Sequence, residues 1–304
     1  MAFGGGALLN VAGLFASITY RGMRYVSVPT TFLAMHDVVT SLKTSICFDG
    51  RKNNVGTFYA PAKILVDVAF CETLPAAELF SGLGELAKNA CLFGGEHAEG
   101  FTEALQRQGR LPPSVSGEFK LDMPSLLELT RLGIKAKMEV LLHDAYEKKF
   151  GMIFEYGHTV SHAIEKAYGD GVIPHGLGVV YGMLSCSFVA ERLGFMTAEE
   201  RKAHDALCHL LLGKWPLPMP MPTAEAVYAR AMKDSKRGIA GEGLTQVSDI
   251  MLYRMGEIHE TPTSNLYAFD SALLLEWLLQ MSFPSETAQG VIDADVSPAA
   301  GAGA

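Results

Sequence analysis

From Pro75 onward the chain carries one helical repeat of apolar residues after another. Leucine and methionine recur three and four residues apart, with Ala, Glu and Lys between them, over 76–93, 98–108, 124–146, 153–167, 176–193, 198–213 and 223–233. That spacing restricts each segment to a helix with one buried stripe. The Pro-rich link Trp215–Pro222 interrupts the last two. Upstream the pattern differs. Gly4-Gly5-Gly6 precedes a helical stretch from Leu8 to Thr19, and no strand is visible before it, which predicts a missing N-terminal segment. Tyr25-Val26-Ser27-Val28, ended by Pro29-Thr30-Thr31, and Ile64-Leu65-Val66-Asp67-Val68 predict buried strands. Between them Ser41–Gly56 predicts loop and hairpin. The expected architecture is an incomplete α/β nucleotide-binding portion over 1–74 and an all-α portion over 75–284, with a ligand cleft between the two. Residues 285–304 lack periodicity and predict a disordered tail. No internal repeat is visible.

With 304 residues, 49% of them hydrophobic, the chain can bury a substantial core. A formal charge of −8 without any basic run argues against nucleic acid as a partner, although a locally basic site can still take a small anion. Five cysteines, odd in number and without paired metal spacing, suit reduced thiols in a cytoplasmic protein. No apolar run reaches the roughly 18 residues of a membrane span. Residues 1–18 are apolar but lack the basic start of a signal peptide.

Three constellations carry chemistry. His158 and His162 stand four apart in Glu155-Tyr156-Gly157-His158-Thr159-Val160-Ser161-His162, which puts both rings on one helix face. His175 follows a Gly-Asp-Gly break, and Glu85 lies in an upstream helix. One carboxylate with two imidazoles, Glu85, His158 and His175, suits a catalytic divalent metal such as Zn²⁺ or Co²⁺. Against this stands the plain alternative of unrelated side chains on a stable helix. The lysines Lys43, Lys52, Lys88, Lys137 and Lys236 are scattered, and each alone suits a solvated surface. Converged, they make a clamp for phosphate or sugar oxygens. The glycine loop lets a backbone approach a pyrophosphate at a helix N-terminus. Glu155 is either a surface residue or a partner of a substrate hydroxyl.

In this order the motifs resemble the sugar phosphate cyclases, the superfamily of 3-dehydroquinate synthase. The resemblance runs from residue 4 to about 255. It rests on the glycine loop, Val28-Pro29-Thr30-Thr31, Asp37 with Lys43, Lys52-Asn53-x-Val55-Gly56-x-Phe58, Thr73-Leu74-Pro75, Glu85-x-x-Lys88 and Gly157-His158-x3-His162-Ala163-Ile164-Glu165. Tyr146-Glu147-Lys148-Lys149, Ile153 to His158 and Lys236-Arg237-Gly238 are similar to the branch that makes the aminoglycoside carbocycle from glucose 6-phosphate. Dehydroquinate synthases usually carry Arg at the position of Gly151 and Asn at that of Glu155. An acid there would repel a substrate carboxylate by roughly a few kcal/mol at an effective dielectric of about 20, so a neutral sugar end fits better.

The resemblance implies a dehydroquinate synthase-like fold and NAD- and metal-dependent phosphate elimination, a lyase reaction. Hydride leaves C4 and returns after elimination, and an aldol step closes the ring. It implies Glu85, His158 and His175 as metal ligands. Lys43, Lys88, Lys137, Glu155, His162 and Lys236 become catalytic or substrate-lining residues. NAD falls to Gly5, Gly6, Asn10, Thr30, Thr31, Asp37, Lys52, Asn53, Phe70, Thr73, Leu74 and Glu78. Arg21 matches an arginine that reaches a neighbouring subunit's site, which implies a homodimer. The chain departs from the pattern at Leu9, Asn10 and Leu177, and about 80 residues of the family's N-terminal domain have no counterpart. The alternatives are 3-dehydroquinate synthase itself, a metal-dependent polyol dehydrogenase, or a non-catalytic remnant.

Overall fold

The computed structural model describes residues 1–49, 51–108, 122–169, 171–212, 216–234 and 239–283. The expected tail, 285–304, lies outside them. The chain opens on a strand, β1 (Ala2–Gly4), that runs directly into α1 (Gly6–Ile18). A strand therefore does precede the glycine loop, contrary to the expectation from sequence. Three residues were too few to show a period. β1 pairs in parallel with β2 (Val26–Pro29), Phe3 opposite Val28 and Gly4 opposite Pro29. A five-residue helix α2 (Phe32–His36) follows, its first turn capped by Thr31, whose hydroxyl accepts from the Ala34 N–H. The predicted hairpin is β3 (Lys43–Phe48) with β4 (Arg51–Phe58). β5 (Lys63–Ile64) completes a three-stranded sheet in the order β1-β2-β5. This strand is shorter than the expected 64–68. Asp67 accepts from the Ala69 N–H and turns the chain into a 3-10 helix over Val68–Thr73.

The helical part follows its predicted segments closely: α3 (Ala76–Phe93), α4 (Gly95–Gln108), α5 (Met123–Leu141), α6 (His158–Tyr168), α7 (His175–Arg192), α8 (Ala198–Leu212) and α9 (Ala224–Ala231). Two boundaries move. α5 ends short of 146 because the Asp144 carboxylate accepts the N–H groups of Lys148, Lys149 and Gly151 and folds a loop. α6 starts at His158, not 153, because Phe150–Glu155 is a 3-10 turn and Gly157 adopts φ 75°. Beyond 237 the all-α expectation needs an addition. β6 (Gln246–Ile250) pairs with β9 (Leu266–Asp270), β7 (Leu252–Arg254) with β8 (Glu257–Ile258), and α10 (Ala272–Gln280) follows.

One large core, including Phe80, Leu83, Leu86, Tyr156, Val180, Met183, Phe188 and Trp277, joins α3, α6, α7 and α10. At its centre α3 and α7 cross in backbone contact. A Cβ on Gly84 would sit 2.3 Å from the Gly176 Cα. These glycines adjoin Glu85 and His175, so the close crossing is what brings those two side chains together. No described helix is long and apolar enough to cross a membrane. The five cysteines are free, four of them buried.

Candidate active site

Glu85, His158 and His175 reach one point from three helices, their ligand atoms all within 4.8 Å of one another. The His158 and His175 Nε2 atoms lie 3.2 and 3.3 Å from Glu85 Oε1. That buried oxygen has no hydrogen-bond partner among the described residues. Its neighbour Oε2 pairs with the Lys88 ammonium one turn along α3. The outer nitrogen of each imidazole is held. His158 Nδ1 is 3.1 Å from the Tyr156 carbonyl, and His175 Nδ1 is 2.8 Å from Glu165 Oε1. Both bonds turn Nε2, with its lone pair, toward the shared point. Burial, then the Lys88 charge, lower the His158 pKa, so its ring is neutral. Burial would lower that of His175 too, but the Glu165 and Glu85 carboxylates carry it up to about 10. A cation at Nε2 would displace that proton. Burial would raise the Glu85 pKa, yet the Lys88 ammonium holds it well below the ordinary carboxylate range. An orphaned carboxylate oxygen facing two oriented imidazoles fits a divalent metal.

This cluster forms one wall of a cavity of about 580 Å³. Lys43, Lys88, Lys137, Glu155, Asn10, Asp37 and Asn53 line it with the three metal-type residues. The predicted convergence of lysines is therefore real for three of them, and each is held by a carboxylate. Lys88 also donates to the Phe154 carbonyl at 2.7 Å. Lys137 Nζ lies 2.7 Å from Asp37 Oδ1 and 3.7 Å from the Phe154 ring centre. Burial would lower the Lys137 pKa, but Asp37 and Glu147 raise it instead. Lys43 Nζ is 2.8 Å from Glu147 Oε2. The Lys52 side chain and the whole of Lys236 lie outside the described residues. His162 is not in the cavity wall. Its ring packs edge-on at 5.4 Å from that of His158, and its Nδ1 is 3.4 Å from Asp234.

Apart from Asn10, Asp37 and Asn53 in the cavity wall, the nucleotide-type residues separate into two groups. Gly5 and Gly6 form the turn between β1 and α1. Thr30 donates its N–H to the Gly4 carbonyl at 2.9 Å, and Thr31 presses on Gly5, where a Cβ would meet its methyl at 2.9 Å. The first turn of α1 has no side-chain cap, so its N–H groups suit a pyrophosphate. Phe70, Thr73, Leu74 and Glu78 lie apart from the cavity, in the 3-10 turn and at the start of α3. Glu147, Phe154 and Glu165 belong to the motifs of the resemblance but received no site role from the sequence. Glu165 was legible, because it shares the helix face of His158 and His162 at a seven-residue spacing. Glu147 and Phe154 carry no comparable periodic signal. A second group, Cys91, His204 and Cys208, also clusters. There the His204 nitrogens are already engaged by Tyr156 and Asp205, and Cys91 and burial push the Cys208 thiol far up, which suits core packing.

An α/β portion joined to a helical metal-type site defines a known class. Residues 1–81 match the 3-dehydroquinate synthase N-terminal family and residues 82–237 the 3-dehydroquinate synthase C-terminal family. The chain belongs to the 3-dehydroquinate synthase family of sugar phosphate cyclases. Within it, the chain is 40% identical over 238 residues to 2-deoxy-scyllo-inosose synthase of Streptoalloteichus tenebrarius, covering 78% of this chain and 58% of that protein. It is 33% identical to the enzyme of the same name from Streptomyces kanamyceticus, covering 100% of this chain and 75% of the relative. The fold matches a 2-deoxy-scyllo-inosose synthase crystallised with carbaglucose-6-phosphate, NAD⁺ and Co²⁺, at TM-score 0.75 and 29% identity, over 92% of this chain and 72% of that one. It also matches 2-epi-5-epi-valiolone synthase from Streptomyces hygroscopicus with NAD⁺ and Zn²⁺, at TM-score 0.71 and 26% identity, with the same coverage. The chain thus spans about three-fifths to three-quarters of the length of these relatives.

Proposed function

We propose that the chain is a 2-deoxy-scyllo-inosose synthase, a phosphate-eliminating lyase that turns glucose 6-phosphate into a carbocycle for aminoglycoside biosynthesis. The observation that carries the reading is Glu155 in the wall of the cavity shared by the lysines and the metal-type cluster. Gly151 supports it. The space beside Gly151 is taken by Glu147, whose Cβ would lie 2.7 Å from a Cβ at 151, so an Arg side chain has no room to leave the backbone there. The cavity then lacks the arginine for an acidic substrate and gains a carboxylate suited to a hydroxyl.

In this reading residues 1–74 hold NAD, residues 75–284 hold metal and most of the substrate, and two hairpin residues of the first part reach the substrate's phosphate. Glu85, His158 and His175 would hold Zn²⁺ or Co²⁺, which when bound acidifies substrate hydroxyls. NAD would lie along Gly5, Gly6, Asn10, Thr30 and Thr31 and supplies a hydride acceptor and donor. Lys88 and Lys137 direct ammonium groups at substrate oxygens, kept in place by Glu85, Asp37 and the Phe154 ring. Lys43 and Asn53, on the hairpin, bind the phosphate end. Three lysines and four carboxylates, Asp37, Glu85, Glu147 and Glu155, line the cavity. With neutral imidazoles, a divalent ion brings that balance to one net positive charge, which favours an anionic sugar phosphate. Glu155 orients a substrate hydroxyl and accepts its proton.

A homodimer is part of the proposal. α1 presents Leu8, Val11, Phe15 and Ile18 on one exposed face, immediately before Tyr20 and Arg21. So is a cytoplasmic location, which the free thiols suit. The test is incubation of the chain with glucose 6-phosphate, NAD⁺ and Co²⁺, with mass spectrometry of the products. Inorganic phosphate together with a cyclised deoxyinosose supports the assignment. Turnover of a carboxylated sugar phosphate instead would move it to 3-dehydroquinate synthase.

A further inference from the structure

The turn that carries His158 is held from a part of the chain well outside the cavity. Gly157 is the N-cap of α6 and has no side chain with which to cap it. The vacant capping role is filled by Asp249 of β6, a residue only 1% exposed. Asp249 Oδ1 accepts the Gly157 N–H at 2.9 Å, and Oδ2 accepts the Thr159 N–H at 3.3 Å. The same strand accepts the Thr159 hydroxyl at the Ser248 carbonyl, 2.8 Å away. His158 lies between the two N–H groups so fixed. On the opposite side α7 presses on the turn, since a Cβ on Gly182 would lie 1.8 Å from the Gly157 carbonyl oxygen. The preceding residue is anchored as well: the Tyr156 phenol is 3.0 Å from His204 Nε2, and the Tyr156 carbonyl is the group that orients His158 Nδ1. β6 lies beyond residue 237, where the match to the 3-dehydroquinate synthase C-terminal family ends.

We propose that Asp249 is a positioning residue for metal binding: by capping α6 from β6 it sets the direction of the His158 imidazole. A buried carboxylate at a helix N-terminus is favoured by the free N–H groups and by the helix dipole. Here it also spans the first residue of the helix, which is the ligand itself. The backbone of His158 cannot rotate without breaking one of the two bonds. The inference rests on the reading of Glu85, His158 and His175 as metal ligands.

The test compares the full chain with D249A, D249N and V247A. Val247 is buried in the same strand and makes no contact through a carboxylate, so V247A loosens β6 while leaving the cap. Co²⁺ is titrated by its visible absorption, and the metal-free proteins are examined by ¹⁵N NMR of the histidine rings and by amide exchange. D249A is expected to lose about 10- to 100-fold in Co²⁺ affinity, the range for losing an outer hydrogen-bond partner. It should also alter the Co²⁺ spectrum and expose the Gly157 amide. D249N, which keeps one acceptor oxygen, should lose less, and V247A should keep the wild-type spectrum even if its melting temperature falls. Wild-type Co²⁺ affinity and spectrum in D249A would overturn the proposal, as would an equal change in V247A. If D249A does not fold, an unchanged His158 ring signal and protected Gly157 amide in D249N overturn it equally. Failure of the wild type to bind Co²⁺ would remove the metal reading itself. The NMR comparison then decides separately whether Asp249 governs His158, and an unchanged His158 ring in D249A counts against it.

Discussion

α3 and α1 are both amphipathic on paper, yet they meet opposite fates. Fifteen of the eighteen residues of α3 are buried, including Glu85 and Lys88. Only Leu9, Gly13 and Ala16 are buried among the thirteen of α1, while Phe15 and Ile18 are 61% and 65% exposed. In the helical half Glu85 and Lys88 pair with each other inside the core, and Lys137 takes its counter-charge, Asp37, from the N-terminal half. The N-terminal half builds a sheet and a glycine turn but leaves an apolar face uncovered. The lesson is that the metal-type site depends on packing within the chain, whereas the nucleotide-type half is open to further contacts.

The largest effect should come from breaking the closed half. E85A removes a proposed metal ligand and leaves the buried Lys88 ammonium without its carboxylate partner. Co²⁺ affinity is expected to fall by more than about 100-fold, beyond the cost of an outer hydrogen-bond partner. NAD⁺ affinity, measured by calorimetry, should stay the same if the two halves bind separately. A loss of both would merge them into one unit.

At the junction of the halves stands His36, fully buried, with neither ring nitrogen hydrogen-bonded among the described residues. Burial lowers its pKa to about 4 from the ordinary 6.5. The unfolded chain therefore takes up one more proton between those values, and stability falls as the pH drops from about 6.5 to 4. The slope is about 1.4 kcal/mol per pH unit, or roughly 3 kcal/mol in all. Urea melts of H36L should lose most of this slope. A wild-type slope in the variant would show that another group titrates.

K137M should come next. Lys137 is buried and Asp37 is about a quarter exposed, so a loss of about 2 kcal/mol is expected, below the range for a fully buried pair. The Michaelis constant for sugar phosphate should rise with it, because the same ammonium faces the cavity. Loss of stability without a change in substrate binding would confine Lys137 to the fold.

The smallest effect on the site should come from F15E on the open face. Folding stability and Co²⁺ affinity should hold within about 0.5 kcal/mol, as for other surface substitutions. Sedimentation should report a shift from dimer to monomer. A monomeric wild type, or a dimer that survives F15E, would place the subunit contact elsewhere.

The helical segments and the glycine turn could be read from the chain because local periodicity and turn chemistry depend on neighbours a few residues away. Glu85, His158 and His175 were within reach because helix spacing and flanking glycines mark them. The short strands were not legible. β1 has three residues, fewer than a period-two pattern needs, β5 was expected over 64–68 and forms only over Lys63–Ile64, and β6 to β9 carry their apolar residues in runs too brief to separate from loop. The start of α6 was misplaced because Phe150–Glu155 has helical composition, while Gly157 turns the chain at φ 75° and a carboxylate ninety-two residues further along takes its N–H.

By itself the sequence determined which segments are helices, where the glycines permit close approach, and which residue types were available as ligands. Only the tertiary structure decided that α3 and α7 cross at Gly84 and Gly176, that Lys43 and Lys137 find Glu147 and Asp37, and that Asp249 caps α6. The physical reason is range. Backbone propensity and side-chain period act within a turn or two, whereas burial, ion pairing and remote capping depend on which distant surfaces the core brings into contact.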